Sequence, residues 1–386
     1  MADVSPLALY VHFPWCVAKC PYCDFNSHSL RGEMPADEYV DALLLDLASS
    51  MEHVCGRPLE SVFLGGGTPS LFTPCQIARL LAGVADRLEL IEGAEITLEA
   101  NPGAVEHGAF SGYLEAGVNR LSLGVQSFSD RLLAALGRIH DASAAATAYR
   151  EARAAGFTNI NLDLMFALPG QTADEAVADV QAAIALGPEH ISYYHLTLEP
   201  NTVFYARPPR LPDVEQAWDI QEAGHAALAA AGYRQYEVSA WCREPRECRH
   251  NLNYWKFGDY LGIGAGAHAK VTRQDGRVIR EKRAAHPREY LHCISTGRPP
   301  GEQSLVADHD LAFEFALNAL RLRGGFSAAE FTARTGLAPR WLLAGVEEAL
   351  EKQLLSEVSP GCWRATELGW RFLDDLQAIF LPRNRP

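Results

Sequence analysis

Tyr10-Val-His-Phe-Pro-Trp-Cys16-Val-Ala-Lys-Cys20-Pro-Tyr-Cys23-Asp-Phe25 is the stretch on which the reading of this chain turns. It opens within the apolar run Leu7–Phe13, which has the composition of a strand and is cut short by Pro14. Three cysteines follow in one loop at CxxxCxxC spacing, close enough to share a metal centre. A zinc site would ask for a fourth ligand and often a second CxxC pair. A four-iron cluster held by three thiolates instead leaves one iron open to chelate a small molecule. The other cysteines, Cys55, Cys75, Cys242, Cys248, Cys293 and Cys362, are scattered and read mostly as small buried hydrophobes.

Outward from this loop, strands and helices alternate. Leu7–Phe13, Ser61–Leu64, Glu95–Ala100, Arg120–Val125, Asn159–Phe166 and His190–Leu198 are short, apolar or aromatic, and bounded by Gly, Pro or Asn, so they read as six strands. Helical periods lie between them, as in Tyr39, Val40, Leu43, Leu44 and Leu47 after Pro35, and Ile77, Leu80, Leu81 and Val84 after Pro74. Such units in a row predict a parallel sheet covered by helices. Several strands also carry a polar side. Asn159, Asn161 and Asp163 oppose Ile160, Leu162, Leu164 and Phe166; Glu95, Thr97 and Glu99 oppose Ile96 and Leu98; Arg120, Ser122 and Gln126 oppose Leu121, Leu123 and Val125. Strands buried on both sides avoid this pattern, so it points to a barrel interior that keeps its ligands near the strand C-termini.

After about residue 200 the rhythm changes. Asp213–Ala231 reads as a helix, Gln235–Ser239 as a strand, Tyr260–His268 as a glycine-punctuated strand or turn, and Arg273–Pro300 as a connection with few apolar residues. From Asp308 the chain turns mostly helical, and Phe326–Gly336, Pro339–Lys352, the hairpin-like Leu354–Ala365 and Glu367–Phe380 follow one another like a winged-helix unit. The expected division is a barrel over residues 1–230, a connecting segment over 231–305 and a helical C-terminal domain over 306–386.

The 386 residues carry 34 Lys and Arg against 48 Asp and Glu, a net charge of −14. That balance speaks against broad nucleic-acid binding, which needs a cationic excess. The would-be recognition helix Pro339–Lys352 is itself net acidic, with Arg340 and Lys352 against Glu347, Glu348 and Glu351. No apolar run reaches the roughly 18 residues of a membrane span, and Met1–Pro6 lacks the basic start of a leader. An odd count of 9 cysteines suits a reducing compartment. The expectation is a cytoplasmic protein with no nucleic-acid partner and no intrinsic membrane segment.

Leu64-Gly-Gly-Gly-Thr-Pro69 closes the second strand, where successive glycines let the backbone approach a ligand and aim N–H groups at it. Among the residues at strand ends, the Arg138 guanidinium suits a carboxylate, and Glu99, Gln126 and Asp163 suit ribose hydroxyls or amino groups. The cysteine loop and the glycine run together resemble the radical S-adenosylmethionine superfamily, whose cluster loop follows the first strand of a partial (β/α)6 TIM-like barrel. The resemblance implies that Cys16, Cys20 and Cys23 hold a [4Fe-4S] cluster, that its open iron binds S-adenosylmethionine, and that Tyr22 occupies the aromatic position near the adenine.

A narrower resemblance runs over about residues 6–380. Tyr10-Val-His12, Gly65-Gly-Gly-Thr-Pro69, Glu99-Ala-Asn-Pro102, Gly124-Val-Gln-Ser-Phe128, Asn161-Leu-Asp163 with its continuation to Thr172, and Tyr194-His-Leu196 are similar to the oxygen-independent coproporphyrinogen III oxidases. In that family the positions matching Tyr10, Gly66, Glu99, Gln126 and Arg138 serve one S-adenosylmethionine, and those matching Gly67, Thr68 and Asp163 a second. Two departures stand out. The oxidases have a fourth cysteine where this chain has Phe25, and an extension before the barrel where this chain has six residues.

Both departures resemble the heme chaperone branch, as do His250-Asn-Leu-Asn-Tyr-Trp255 and Asp259-Tyr-Leu-Gly-Ile-Gly-Ala-Gly-Ala-His268. That branch implies heme as a cofactor and recipient hemoproteins as partners. His250 then offers an imidazole to the iron, and Tyr254 and Trp255 offer flat faces to the porphyrin; His195 and His268 are weaker candidates. The alternatives are oxidative decarboxylation of coproporphyrinogen III and another radical reaction on a tetrapyrrole, and whether the chain is an enzyme stays open.

Overall fold

The computed structural model describes residues 7–103 and 109–382, so Met1–Pro6, where the leader reading fell, lies outside the described residues. β1 (Leu7–Phe13) leads into a loop clasped by the two-residue strands β2 (Trp15–Cys16) and β3 (His28–Ser29). β4 (Leu59–Gly66), β5 (Leu90–Ala100), β6 (Arg120–Gln126), β7 (Ile160–Phe166) and β8 (His190–His195) then follow β1 in parallel, side by side and in chain order. These are the six strands expected from composition.

Connecting helices form where caps and periodicity place them. α1 (Ala36–Ser49) has Asp37 and Glu38 in its first turn, where they complement the helix dipole. α2 (Pro74–Ala85) starts at Pro74 behind a Thr73–Gln76 capping box and buries Ile77, Leu80, Leu81 and Val84. α3 (Ala109–Glu115), α4 (Asp130–Ala135) and α5 (Ala142–Ala154) follow; α6 (Ala173–Leu186) starts at a Thr172–Glu175 box and ends at Gly187 in the left-handed region. After the short α7 (Val203–Ala206), α8 (Val214–Ala230) begins behind Asp213, which forms a capping box with Gln216. The apolar sides of the strands, Leu9, Val11, Val62, Leu64, Leu98, Leu121, Leu123 and Leu162 among them, are buried against these helices in one core. Their polar sides face inward, as the alternation predicts.

The barrel is open. β9 (Arg234–Glu237) and β10 (Ala240–Cys242) add antiparallel strands beyond β8. α9 (Arg249–Trp255) carries the His250–Trp255 motif, and β11 (Asp259–Ile263) returns to pair in parallel with β1. β12 (His268–Thr272), β13 (Val278–Arg283) and β14 (Gly301–Leu305) extend that side, giving a 12-stranded sheet of order β14-β13-β12-β11-β1-β4-β5-β6-β7-β8-β10-β9.

Arg273–Pro300, expected as a connection, therefore holds β13 and α10 (Pro287–Ser295). Besides Val278, Ile279 and Tyr290, its burial uses paired charges. Arg283 Nε donates to Asp46 and its Nη1 to Glu281, while Tyr290 donates its hydroxyl to Asp46, all of them buried. A second set crosses β11 and β12, where Asp259 accepts from Arg57, Lys270 and Thr272. Burial alone would raise the Asp259 carboxyl; Lys270 and Arg57 hold it down at about 2.

The C-terminal unit packs α11 (Asp308–Ala319), α12 (Ala328–Thr335) and α13 (Arg340–Glu351) with a small sheet of β15 (Phe326–Ser327), β16 (Leu355–Ser359) and β17 (Cys362–Ala365). Phe315, Phe331, Leu342, Trp363 and Leu376 form its core, which also takes in Phe257 and Val278 from the segment before it. Helices and hairpin fall as the winged-helix reading expects. Among the described residues no helix is long and apolar enough to cross a membrane.

Candidate functional site

The cysteine loop is framed at both ends and across its middle. His28 N–H donates to the Pro14 carbonyl and Leu30 N–H to that of Cys16, which closes the clasp. Lys19 Nζ crosses the loop to the carbonyls of Phe25 (3.0 Å) and Ser27 (3.1 Å). Asn26 anchors the far side by donating to the carbonyls of Ala265 and Ala285. His12 accepts from the Tyr10 hydroxyl at Nδ1 (2.9 Å) and donates from Nε2 to Asn26 O (2.8 Å), which fixes its neutral tautomer. Burial holds its pKa down at about 4.

Cys16, Cys20 and Cys23 open together onto a cavity of about 300 Å³, with Tyr22, Gly66, Gly67, Thr68, Glu99, Gln126, Arg138 and Asp163 on its other walls. The structure thus brings together every sequence-expected residue for the cluster and S-adenosylmethionine except Tyr10. Tyr10 stands on the wall of an adjoining, larger chamber of about 960 Å³, with its hydroxyl turned to His12. Cys23, Phe25, Gly66, Glu99 and Asp163 border both spaces, which are therefore continuous.

The glycine run is required by close approach. Gly66 has φ +113°, and a Cβ there would sit 2.6 Å from the His12 ring; at Gly67 a Cβ would be 2.5 Å from the Trp15 carbonyl oxygen. Gly66 N–H donates to Glu99 Oε2 (3.0 Å). Burial, with Asp163 close by, pushes the Glu99 carboxyl up to about 8. Burial also raises Asp163, which accepts from Ser122 (3.0 Å) and Asn161 (2.8 Å). A cation entering between Glu99 and Asp163 would favour their charged forms.

Arg138 bridges the cavity. Its Nη1 donates to Cys20 Sγ (3.4 Å), and its Nη2 to Asn101 Oδ1 (2.7 Å) and Gly124 O (2.8 Å). Asn101 in turn donates to Thr68 Oγ1 (3.0 Å). Asn101 and Lys19 belong to this site although the sequence reading gave them no role. Continuing the inward alternation of β5 past Glu99 would have marked Asn101; nothing in the sequence marks Lys19.

The donor set fits a polynuclear cluster and its chelate. Three thiols without disulfides line one cavity. Among the described residues, however, no group of three His, Cys, Asp or Glu side chains is arranged for a single metal ion. Separate thiolates around one space suit a cluster in which each takes its own iron. Arg138 Nε is buried with no partner, a donor left over on the same wall.

The His250 motif forms α9. His250 lies 1% exposed on α9 beneath the barrel interior. Its Nδ1 is hydrogen-bonded to Ser61 Oγ (2.9 Å) and its Nε2 to the Tyr254 hydroxyl (3.0 Å), and its ring stacks on Phe63 with centroids 4.9 Å apart. Burial, with Arg120 nearby, lowers it to about 3. As packed, both ring nitrogens are hydrogen-bonded within the chain. A spacing motif cannot show partners so far away in sequence. Tyr254 and Trp255 do line the larger chamber, Trp255 with Arg321 stacked at 4.2 Å. His268 lines it too, and its ring forms no hydrogen bond among the described residues. His195 stands on the smaller cavity, stacked on Phe166.

Comparisons with known proteins agree with this geometry. The model of the radical SAM superfamily matches residues 10–183, and that of the HemN C-terminal domain matches residues 306–372. Heme chaperone HemW of Escherichia coli is 49% identical over 99% of this chain and 100% of its own length. That of Haemophilus influenzae is 46% identical over 99% of each, and that of Bacillus subtilis 34% identical over 96% of this chain and 98% of its own. The solved coproporphyrinogen III oxidase HemN of E. coli superposes with a TM-score of 0.82 over 98% of this chain and 90% of that one; at 22% identity it supports the fold alone. With a cysteine loop, glycine run and buried carboxylates around one cavity, and full-length relatives at this identity, the chain belongs to the HemW family of heme chaperones within the radical SAM superfamily.

Proposed function

We propose that this protein binds heme and hands it to hemoproteins, with a [4Fe-4S] cluster on Cys16, Cys20 and Cys23 and S-adenosylmethionine beside it. The observation that carries the proposal is the larger chamber: an aromatic-walled space of about 960 Å³ that opens directly onto the cysteine cavity. Its volume lies at the upper end of the range of about 300–1,000 Å³ for ligand clefts. Tyr254 offers a face to a flat macrocycle, and Phe25, standing where the oxidases have a cysteine, is exposed at the junction of the two spaces. His268 is the imidazole best disposed to meet an iron; partial burial, with Lys282 and Arg280 nearby, lowers its pKa and so favours the neutral form that acts as a ligand.

When bound, the cluster supplies one-electron reduction at its open iron. The chain's own residues do the holding. Glu99, the Gly66 backbone, Gln126 and Arg138 receive the amino, ribose and carboxylate groups of one S-adenosylmethionine, with Tyr22 against the adenine, while Gly67, Thr68 and Asp163 flank the space for a second molecule. Kinship over the full chain with proteins named heme chaperones supports the chaperone reading over decarboxylation.

The test is a paired assay on anaerobically reconstituted protein. Heme titration followed at the Soret band should saturate at a stoichiometric ratio and transfer to an apo-hemoprotein should follow, with no decarboxylation of coproporphyrinogen III in the presence of S-adenosylmethionine and reductant. Efficient decarboxylation without heme binding would overturn the proposal.

A further inference from the structure

Arg120 is the first residue of β6, and its side chain lies on the inward, polar side of the strand. It is 2% exposed, yet it borders the larger chamber. Among the described residues it makes no hydrogen bond, and no carboxylate lies within 4.0 Å of it; its Nε is buried without a partner. The two acids nearest in charge are committed elsewhere. Glu95 accepts from Cys248 Sγ, His250 N–H and Arg249 N–H, and Asp163 from Ser122 and Asn161. Neutral neighbours on that wall are engaged among themselves: Asn161 donates to Ser122 and accepts from Ser192 and His190.

A guanidinium carries five N–H donors that fit a carboxylate in a bidentate fork. Burying one without partners is unfavourable, and nothing in the chamber's duties toward the cluster or S-adenosylmethionine uses this one. We propose that Arg120 is the anchor for a carboxylate of the chamber's ligand, so that the chamber selects a tetrapyrrole as its free acid, a propionate-type side chain pairing with the guanidinium. The inference rests on the heme reading and deepens it by naming the group recognised.

The test uses the full-length reconstituted protein and two probes, hemin and hemin dimethyl ester, titrated in one detergent-containing buffer. If wild type binds neither, the heme reading itself fails. Where hemin binds, the ester should bind about tenfold or more weakly, because it lacks the charge-assisted pair. Arg120→Gln should bind hemin as weakly as wild type binds the ester and show no preference between them, with Arg120→Lys in between. Equal wild-type affinity for acid and ester overturns the anchor while leaving heme binding intact. So does an Arg120→Gln protein that keeps the preference. Should Arg120→Gln fail to fold, the acid and ester comparison on wild type decides alone.

Discussion

Replacing His250 by alanine separates two meanings of the same residue. As packed, the imidazole joins Ser61 on β4 to the Tyr254 hydroxyl on α9 and stacks on Phe63. The alanine leaves the buried Ser61 hydroxyl without a partner, at about 1–3 kcal/mol, leaves the part-buried Tyr254 hydroxyl unpaired at the chamber wall, and opens a hole where an aromatic ring stood. Truncation of a large buried ring costs about 3–5 kcal/mol, and the two sums describe the same loss, so the apo protein should lose about 3–5 kcal/mol in denaturant unfolding at pH 7. The pH dependence gives a second reading. The folded pKa is about 3 against an ordinary 6.5. Below pH 6.5 the unfolded chain therefore takes up a proton that the native chain refuses, and wild type loses stability as pH falls. At pH 5 this amounts to about 1.5 units at 1.36 kcal/mol each, or about 2 kcal/mol. His250→Ala is free of that loss, so its deficit relative to wild type should shrink by about 2 kcal/mol between pH 7 and pH 5. On the proposal that His268 meets the iron, the heme complex that still forms should keep the wild-type Soret maximum. Wild-type stability combined with a shifted Soret band would refute the packing argument and restore His250 as the ligand.

Gly67→Ala places a methyl group against the Trp15 carbonyl and should lower the iron and sulfide retained per chain after reconstitution; wild-type content at wild-type stability would show that the close approach is dispensable. With Glu99 at about 8, binding of an ammonium group releases a proton below that pH, so affinity for S-adenosylmethionine should rise by up to about tenfold per unit from pH 6 to 8 and then level off. Glu99→Gln should flatten that rise in equilibrium dialysis. Asp259→Asn leaves Arg57 and Lys270 buried without their shared anion and should cost about 3–5 kcal/mol in unfolding. The Asp259 contribution is present above the ordinary 3.8 and disappears as pH falls through about 2, so a wild-type acid unfolding curve indistinguishable from that of the variant would contradict the assignment.

The legible parts of the fold are those where one strand carries its own pattern. Leu7–Phe13 is read to the residue, and the inward polar side of β5, β6 and β7 announces an open interior before any neighbour is known. β13 escaped because half of its buried side chains are charged: beside the apolar Val278 and Ile279, Arg283 and Glu281 are hidden by Asp46 of α1 and by His53 just after it, a pairing no local window displays. The same limit explains His250, whose Ser61 partner is 189 residues away. Arg120 stood in the polar pattern of its strand, but only the missing partners, visible in three dimensions, set it apart from the residues beside it.

The pairing of β1 with β11 fixes an order of events during synthesis. The strand that leads into the cysteine loop gains one neighbour early, from β4, but the other only when Asp259–Ile263 has left the ribosome. Asn26, three residues past Cys23, waits for Ala265, which comes 239 residues later, and for Ala285. Until then the thiols sit on a loop without its far anchor, in a chain rich in long-range pairings of the kind that form slowly. A chain that ends before residue 259 lacks both the β11 neighbour of β1 and the Asn26 anchor, so its three thiols stand on a loop held from one side only.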